Sequence, residues 1–300
     1  MTDHERREVH LVDAFTTDSF SGNPAGVVPD GDDLTDDQMQ AIAAELGASE
    51  TAFVRESDES DRRLRYFTPE DEVDLCGHAT IAAHAHLFEQ DVIAAGEHTL
   101  STNVGTLAIE IEPDGTVWME GDEPAVAVAD VGYDRLAEVL GLTETAFAGV
   151  GVDLPVARAS TGMPFLIVPV NYFEQLGDVR PDLGAIERLC DDHDAAGLYA
   201  FTFDTLDRES TVHGRLFAPG VGVDEDPVTG TASGAVGAYL DRFGEIDTST
   251  LRCEQGDFLD RPGRVQVRVE DGVFVGGEAV TTVTGDIAVP DVESGDIIEV

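Results

Sequence analysis

Lysine is absent from this 300-residue chain; all 17 basic residues are arginine. A lysine Schiff base is therefore excluded, and with it the enzymes that hold pyridoxal phosphate as an internal aldimine. A Walker phosphate loop is excluded too, because it needs Gly-Lys-Ser/Thr. No Gly-x-Gly-x-x-Gly follows a strand-like run, which leaves a dinucleotide-binding fold without support. Cysteine is scarce: Cys76, Cys190 and Cys253 form no Cys-x-x-Cys pair and suggest no disulfide framework. Cys190 and Cys253 read as small buried apolar residues. No run of about 18 apolar residues is present to span a membrane. The N-terminal "MTDHERREVH" lacks the apolar stretch of a signal peptide, so a cytoplasmic location is expected.

Positive charge is also short. Against 17 basic residues stand 61 acidic ones, for a net charge of −44, and the acids are spread along the whole chain. Such a surface repels nucleic acid and anionic membrane, so neither is expected as a partner. Its self-repulsion is screened by salt, which points to a halophilic protein. The 42% hydrophobic content is enough for real cores, and the length suits two domains of ordinary size.

The chain contains a long-period repeat. "RYFTPEDEVDLCGHATIAAHAHL" from Arg65 matches "RLFAPGVGVDEDPVTGTASGAVGAYL" from Arg215: both open Arg-x-Phe-x-Pro and turn through an acidic loop into a glycine followed by small residues. The flanks match in the same order. "NPAGVV" at Asn23 pairs with "MPFLIV" at Met163, and "LTDDQMQAIAAELG" before "TAFVR" pairs with "PDLGAIERLCDDH" before "LYAFTF". "GTLAIEIEPDGTVWMEG" pairs with "GRVQVRVEDGVFVGG", each with Asp-Gly where a hairpin would turn. Each half thus predicts short strands, one peripheral helix and one helix rich in Ala, Gly, Ser and Thr. Small residues on every side suit a helix wrapped by a rolled sheet.

The resulting fold class is α+β, with two pseudo-symmetric domains. The expected limits are residues 1–123 for the first domain, with a returning strand within 279–289, and 124–278 for the second. Residues 290–300 read as a polar tail. Halves related in this way form a cleft, and clefts between domains are favoured ligand sites. Helix starts at Gly77 and Gly230 would present unpaired N–H groups and partial positive charge, suited to a small carboxylate.

"VDLCGHATIAAHAHL" packs Cys76, His78, His84 and His86 into eleven residues, which invites a metal reading. On a helix, however, His78 and His86 stand about 12 Å apart along the axis, and His84 and His86 face nearly opposite ways. No pair has the i, i+4 spacing of a helical two-histidine site. The second copy has Thr229, Thr231, Gly237 and Tyr239 at these places. No metal is expected; His84 and His86 read as packing or surface residues. His78 lies in the helix's first turn, and Cys76 just before it sits where a thiolate is favoured. Asp226 lies beside the second helix start, and Glu50 in "GASETAFV" precedes a strand.

"VDAFTTDSFSGNPAGVV", "ASETAFV", "RYFTPEDEVDLCGHAT" and "DEDPVTGTASG" together resemble the signature blocks of the PhzF-like phenazine-biosynthesis isomerases, within the diaminopimelate-epimerase-like superfamily. The similarity runs from about Val9 to about Gly277. It implies two domains, each a rolled, mostly antiparallel sheet around a central helix, with an active site in the cleft that needs no cofactor, and often a homodimer. It assigns the general acid/base glutamate to Glu50, the cleft histidine to His78 and the substrate-positioning aspartate to Asp226. Gly230 and Thr231 take the anion-binding positions, with Gly77 as the matching helix start. The phenazine enzyme has serine where Thr231 stands, a change that keeps a donor. Epimerase relatives place cysteine before both helix glycines, whereas here Cys76 is opposed by Thr229.

The expected activity is isomerisation of a small carboxylate-bearing amino or hydroxy acid, with Glu50 moving a proton between two carbons. Two other readings stay open. One is a racemase or epimerase using Cys76; the other is a non-catalytic homologue that binds a small molecule or a protein.

Overall fold

The computed structural model describes residues 5–150, 154–244 and 246–291. The first part of the chain supplies β1 (Arg6–Ala14), β2 (Asn23–Val28), α1 (Asp36–Leu46), β3 (Thr51–Arg55), β4 (Arg62–Phe67), β5 (Glu72–Val73), α2 (Gly77–Glu89), β6 (Gly96–Thr102) and β7 (Gly105–Ile111). There follow β8 (Val117–Glu120), β9 (Ala125–Val128), α3 (Tyr133–Leu140), β10 (Ala157–Ser160), β11 (Pro164–Pro169), α4 (Phe173–Gly177) and α5 (Leu183–Asp191). The remainder is β12 (Gly197–Thr202), β13 (Val212–Ala218), β14 (Val223–Asp226), α6 (Gly230–Phe243), β15 (Leu251–Gln255), β16 (Gly263–Val269), β17 (Val273–Gly277) and β18 (Ala279–Ala288). Among the described residues no helix is long and apolar enough to cross a membrane.

The chain forms two compact units. The first takes residues up to Phe20, Pro24–Val117 and the chain from Glu278 on; the second takes Ser21–Asn23 and Trp118–Gly277. Of the polar tail read over 290–300, all but Pro290 and Asp291 lies outside the described residues.

In the first unit β2 runs parallel to β3, β3 antiparallel to β4, β4 antiparallel to β5 and parallel to β6, and β6 antiparallel to β7. The second unit repeats every step: β11 parallel to β12, β12 antiparallel to β13, β13 antiparallel to β14 and parallel to β15, and β15 antiparallel to β16. An identical order of parallel and antiparallel pairings in two units is the structural form of the repeat read in the sequence.

Each unit wraps its sheet around one helix. In α2 every residue from Ala79 to Leu87 is buried, and in α6 every residue from Ala232 to Leu240. No polar face remains, as befits a helix surrounded by sheet. Glycine is needed for this closeness: a Cβ at Gly237 would stand 2.6 Å from Val267 Cγ1, and one at Gly234 would stand 2.9 Å from Val275 Cγ2. The outer helices instead bury one stripe, Met39, Ile42 and Ala43 on α1, and Ala185, Ile186, Leu189 and Cys190 on α5. The fold is α+β.

Two expectations need correction. The second unit carries α3 and α4 in addition to its one peripheral helix. Leu136, Val139 and Leu140 give α3 a clear apolar stripe, but the segment has no counterpart in the first half to align with. The strand pair around Asp114-Gly115 is also more than a local hairpin. Its turn forms, with Gly115 at φ +94° and the Glu112 N–H donating to the Thr116 carbonyl at 2.9 Å. The strand that follows, β8, carries the chain into the second unit and pairs with β17. Gly276 on β17 accommodates the Trp118 ring, which would lie 2.5 Å from any Cβ placed there.

Candidate active site

In the first unit, helix α1 stops at Gly47, whose φ of +66° reverses the chain toward β3. Glu50 then stands at the entrance of β3, where its carbonyl accepts the Gly26 N–H at 2.9 Å. Gly26 must be glycine, since a Cβ would overlap the Thr51 hydroxyl. The glycine of "NPAGVV" thus lets two parallel strands close up and fixes the backbone of Glu50.

Facing Glu50 is the start of α2. Cys76 is the cap residue, with extended φ/ψ of −136° and 116°, and its side chain makes no cap hydrogen bond. His78 follows in the first turn. Its Nε2 lies 3.3 Å from Glu50 Oε2 and 3.4 Å from the Ser49 hydroxyl, and its Nδ1 lies 3.4 Å from Cys76 Sγ. Glu50, Cys76 and His78 each offer a ligating atom within 4.8 Å of the others. A carboxylate touching an imidazole can pass a proton between them, and both side chains keep some exposure, 23% for Glu50 and 13% for His78.

His84 and His86 do not join this group. His84 is buried with Nδ1 2.9 Å from the Thr80 carbonyl, and burial pushes its pKa down to about 4. His86 Nδ1 lies 2.9 Å from the Thr281 hydroxyl on β18, and its ring packs 3.9 Å from His10. Burial, with help from His10, lowers its pKa to about 4. Both are packing residues.

The second unit builds the matching helix start differently. Asp226 ends β14, and both of its carboxylate oxygens accept hydrogen bonds: Oδ1 from Asn23 Nδ2 at 3.0 Å, Oδ2 from the Thr229 hydroxyl. Asn23 also donates to the Val228 carbonyl at 2.8 Å. Thr229 is the cap residue of α6, and here too the side chain leaves the helix N–H groups uncapped. Buried Gln255 braces the turn: its Oε1 accepts the Thr229 N–H at 3.1 Å, and its Nε2 donates to the Asp226 carbonyl at 2.8 Å. Gly230 and Thr231 open the helix, and the Thr161 hydroxyl donates to the Thr231 carbonyl at 3.4 Å.

The repeated Arg-x-Phe now has a physical role. Arg65 grips Glu72 with two bonds, at 2.8 and 2.7 Å, while its guanidinium lies 5.2 Å from the centre of the Phe67 ring. Arg215 grips Glu225 at 2.7 and 2.8 Å and lies 5.0 Å from the Phe217 ring centre. Each arginine pins the acidic loop that leads into a helix start, and Glu225 adjoins Asp226. Planar two-point contact is what a guanidinium supplies and an ammonium does not.

Asn23, Ser49, Arg215 and Gln255 were not singled out as site residues from the sequence. Asn23 and Arg215 carried a signal, since each opens a matched block. Gln255 carried none, because β6 has a different residue, Thr102, at the matching register. Cys190 and Cys253 are buried, with thiols pushed up to about 12 by that burial, and are inert.

Residues 12–285 match the family described as phenazine biosynthesis-like protein, PhzC-PhzF. The chain belongs to this family. Among curated relatives, "Uncharacterized isomerase YfhB" of Bacillus subtilis is 38% identical over 283 residues, covering 93% of this chain and 94% of that protein. "Uncharacterized isomerase YddE" of Escherichia coli K12 is 38% identical over 273 residues, covering 87% and 90%. Among solved structures, the phenazine biosynthesis protein of the PhzF family from Bacillus anthracis superposes with a TM-score of 0.87. It is 33% identical and covers 94% of this chain and 99% of that one. A hydroxyproline epimerase from Agrobacterium vitis, 13% identical with a TM-score of 0.59, shares the fold, covering 94% and 91%. This PhzF-family chain is an isomerase.

Proposed function

We propose that the protein moves a proton between two carbons of a small carboxylate-bearing amino or hydroxy acid, without a cofactor, and that Glu50 is the group that takes and returns the proton. The observation that carries this reading is the Glu50 carboxylate set 3.3 Å from His78 Nε2 beside a helix start whose cap residue does not cap it. The uncapped N–H groups around Gly77 and Gly230, with the Thr231 hydroxyl, hold the substrate carboxylate. Asp226, fixed by Asn23, Thr229 and Gln255, orients the amino or hydroxyl group together with His78. Glu50 then abstracts a proton from carbon and delivers it to another carbon of the allylic system.

The test is solvent-deuterium incorporation, followed by NMR, into a panel of unsaturated amino and hydroxy acids. Glu50→Gln is expected to bind ligand and incorporate no deuterium; full turnover in that variant would refute the assignment. Because the reading puts residues of both units to work on one substrate, Asp226→Asn is expected to lose exchange as well.

The close approach of Cys76 Sγ to His78 favours a second reading, in which the thiol is the acid or base of an epimerase. That reading predicts exchange at a stereocentre, lost in Cys76→Ser and retained in Glu50→Gln. It meets an obstacle at Thr229, the matching position of the repeat, whose hydroxyl donates to Asp226. A purely binding homologue would bind ligand tightly and exchange nothing.

A further inference from the structure

We propose that Glu50, Cys76 and His78 form a site for one thiophilic divalent cation of the zinc class, and that the bound ion switches off proton transfer. The second half of this statement rests on the assignment of Glu50 as the proton-moving group; the first half does not.

The geometry is close to what such an ion needs. A tetrahedral zinc with bonds of about 2.0–2.3 Å separates its ligand atoms by roughly 3.4–3.6 Å. Here Glu50 Oε2 is 3.3 Å from His78 Nε2, Cys76 Sγ is 4.0 Å from the same nitrogen, and all three ligating atoms fall within 4.8 Å of one another. A shift of about half an ångström brings the thiol to ligand spacing from His78 Nε2. The i, i+4 rule concerns two histidines on one helix. Glu50 arrives from the entrance of β3, a separate element, and supplies the third ligand.

The donor set selects the ion. One sulfur, one imidazole nitrogen and one carboxylate oxygen suit zinc and its neighbours, whereas magnesium and calcium prefer oxygen throughout. Thiolate and carboxylate together cancel the ion's two charges. The helix start disfavours a cation, but it also favours the thiolate that binds it. The acid-rich surface raises the local concentration of cations. Three protein ligands leave the fourth position of a tetrahedral ion for water or substrate. The other copy of the repeat has Thr229 and Thr231 in place of Cys76 and His78, so the duplication gives one site and not two.

Binding forms a metal–sulfur bond and releases the thiol proton to solvent; nothing is oxidised or reduced. The same event engages the Glu50 lone pair that would accept a substrate proton. The ion therefore acts as an inhibitor competing with substrate.

The experiment is a titration of the full chain with Co²⁺, read at the thiolate-to-cobalt charge-transfer band in the near ultraviolet and then reversed with Zn²⁺. The expected result is saturation at one equivalent, loss of the band in Cys76→Ser, and at least about tenfold weaker binding in Glu50→Gln and in His78→Gln. Absence of the band in protein with a native circular dichroism spectrum overturns the site, as does its persistence in Cys76→Ser. Asp226→Asn keeps the band, so the titration reads the site even where no substrate turns over. With a substrate in hand, Zn²⁺ is expected to stop deuterium exchange until a chelator is added. Exchange that continues in zinc-saturated enzyme overturns the switch and leaves Glu50 as the base to be judged by Glu50→Gln alone.

Discussion

Lowering the pH from 7 to 5 should weaken the first unit through His84. This imidazole is enclosed on α2, with the Thr80 carbonyl at 2.9 Å as its partner. Burial holds its pKa at about 4 in the folded chain, aided by the nearby charges of His98 and Arg62, against about 6.5 for an ordinary histidine. A histidine with a depressed folded value is neutral in both states above about pH 6.5, where it contributes nothing to pH dependence. Between about pH 6.5 and 4 the unfolded chain takes up a proton that the folded chain refuses, so stability falls with pH. Integrating over pH 7 to 5 gives about 2 kcal/mol for this one group. The assay is urea unfolding at the two pH values for the wild type and for His84→Asn, whose amide can still donate to the Thr80 carbonyl. The loss on acidification should be about 2 kcal/mol smaller in the variant. Equal losses in the two proteins would refute the reasoning, whatever their absolute stabilities.

Three other outcomes are expected. Arg215→Met should cost about 3 kcal/mol in denaturant unfolding, because it leaves Glu225 half-buried without its cation, and should raise the KM of any substrate through the loosened Asp226 loop. Gly237→Ala should destabilise the second unit by about 1–3 kcal/mol, since the new methyl stands 2.6 Å from Val267 Cγ1; an unchanged urea midpoint would contradict the packing described. The Tm should climb as KCl is raised from 0.1 to 1 M, over which the screening length shrinks from about 10 to about 3 Å and the repulsion among a net 44 negative charges weakens. A flat or falling Tm would remove the case for adaptation to salt.

The repeat was legible because short elements carry their own signatures. "NPAGVV", "TAFVR" and "LYAFTF" are apolar runs of strand length, and "LTDDQMQAIAAELG" carries both its capping pair, Thr35 and Gln38, and its αL stop at Gly47. The small-residue runs after Gly77 and Gly230 announced helices buried on all sides. Strand exchange was not legible. β8 and β17 are each acceptable partners for a neighbour in sequence, and the packing of Trp118 against Gly276, which accompanies their pairing, is a contact in space.

The sequence by itself determined the duplicated α+β fold, the family, and which chemistries a chain without lysine cannot perform. Those follow from composition, local periodicity and order along the chain, all of which are written in one dimension. The tertiary structure alone decided which side chains meet. Glu50 lies more than twenty residues from Cys76 and His78, and Gln255 nearly thirty from Asp226, yet hydrogen bonds and ion pairs depend on separations of about 3 Å in space. His78 and His86, neighbours in the sequence, ended with different partners for the same reason: a helix turns one toward Glu50 and the other into the wall formed by β1 and β18.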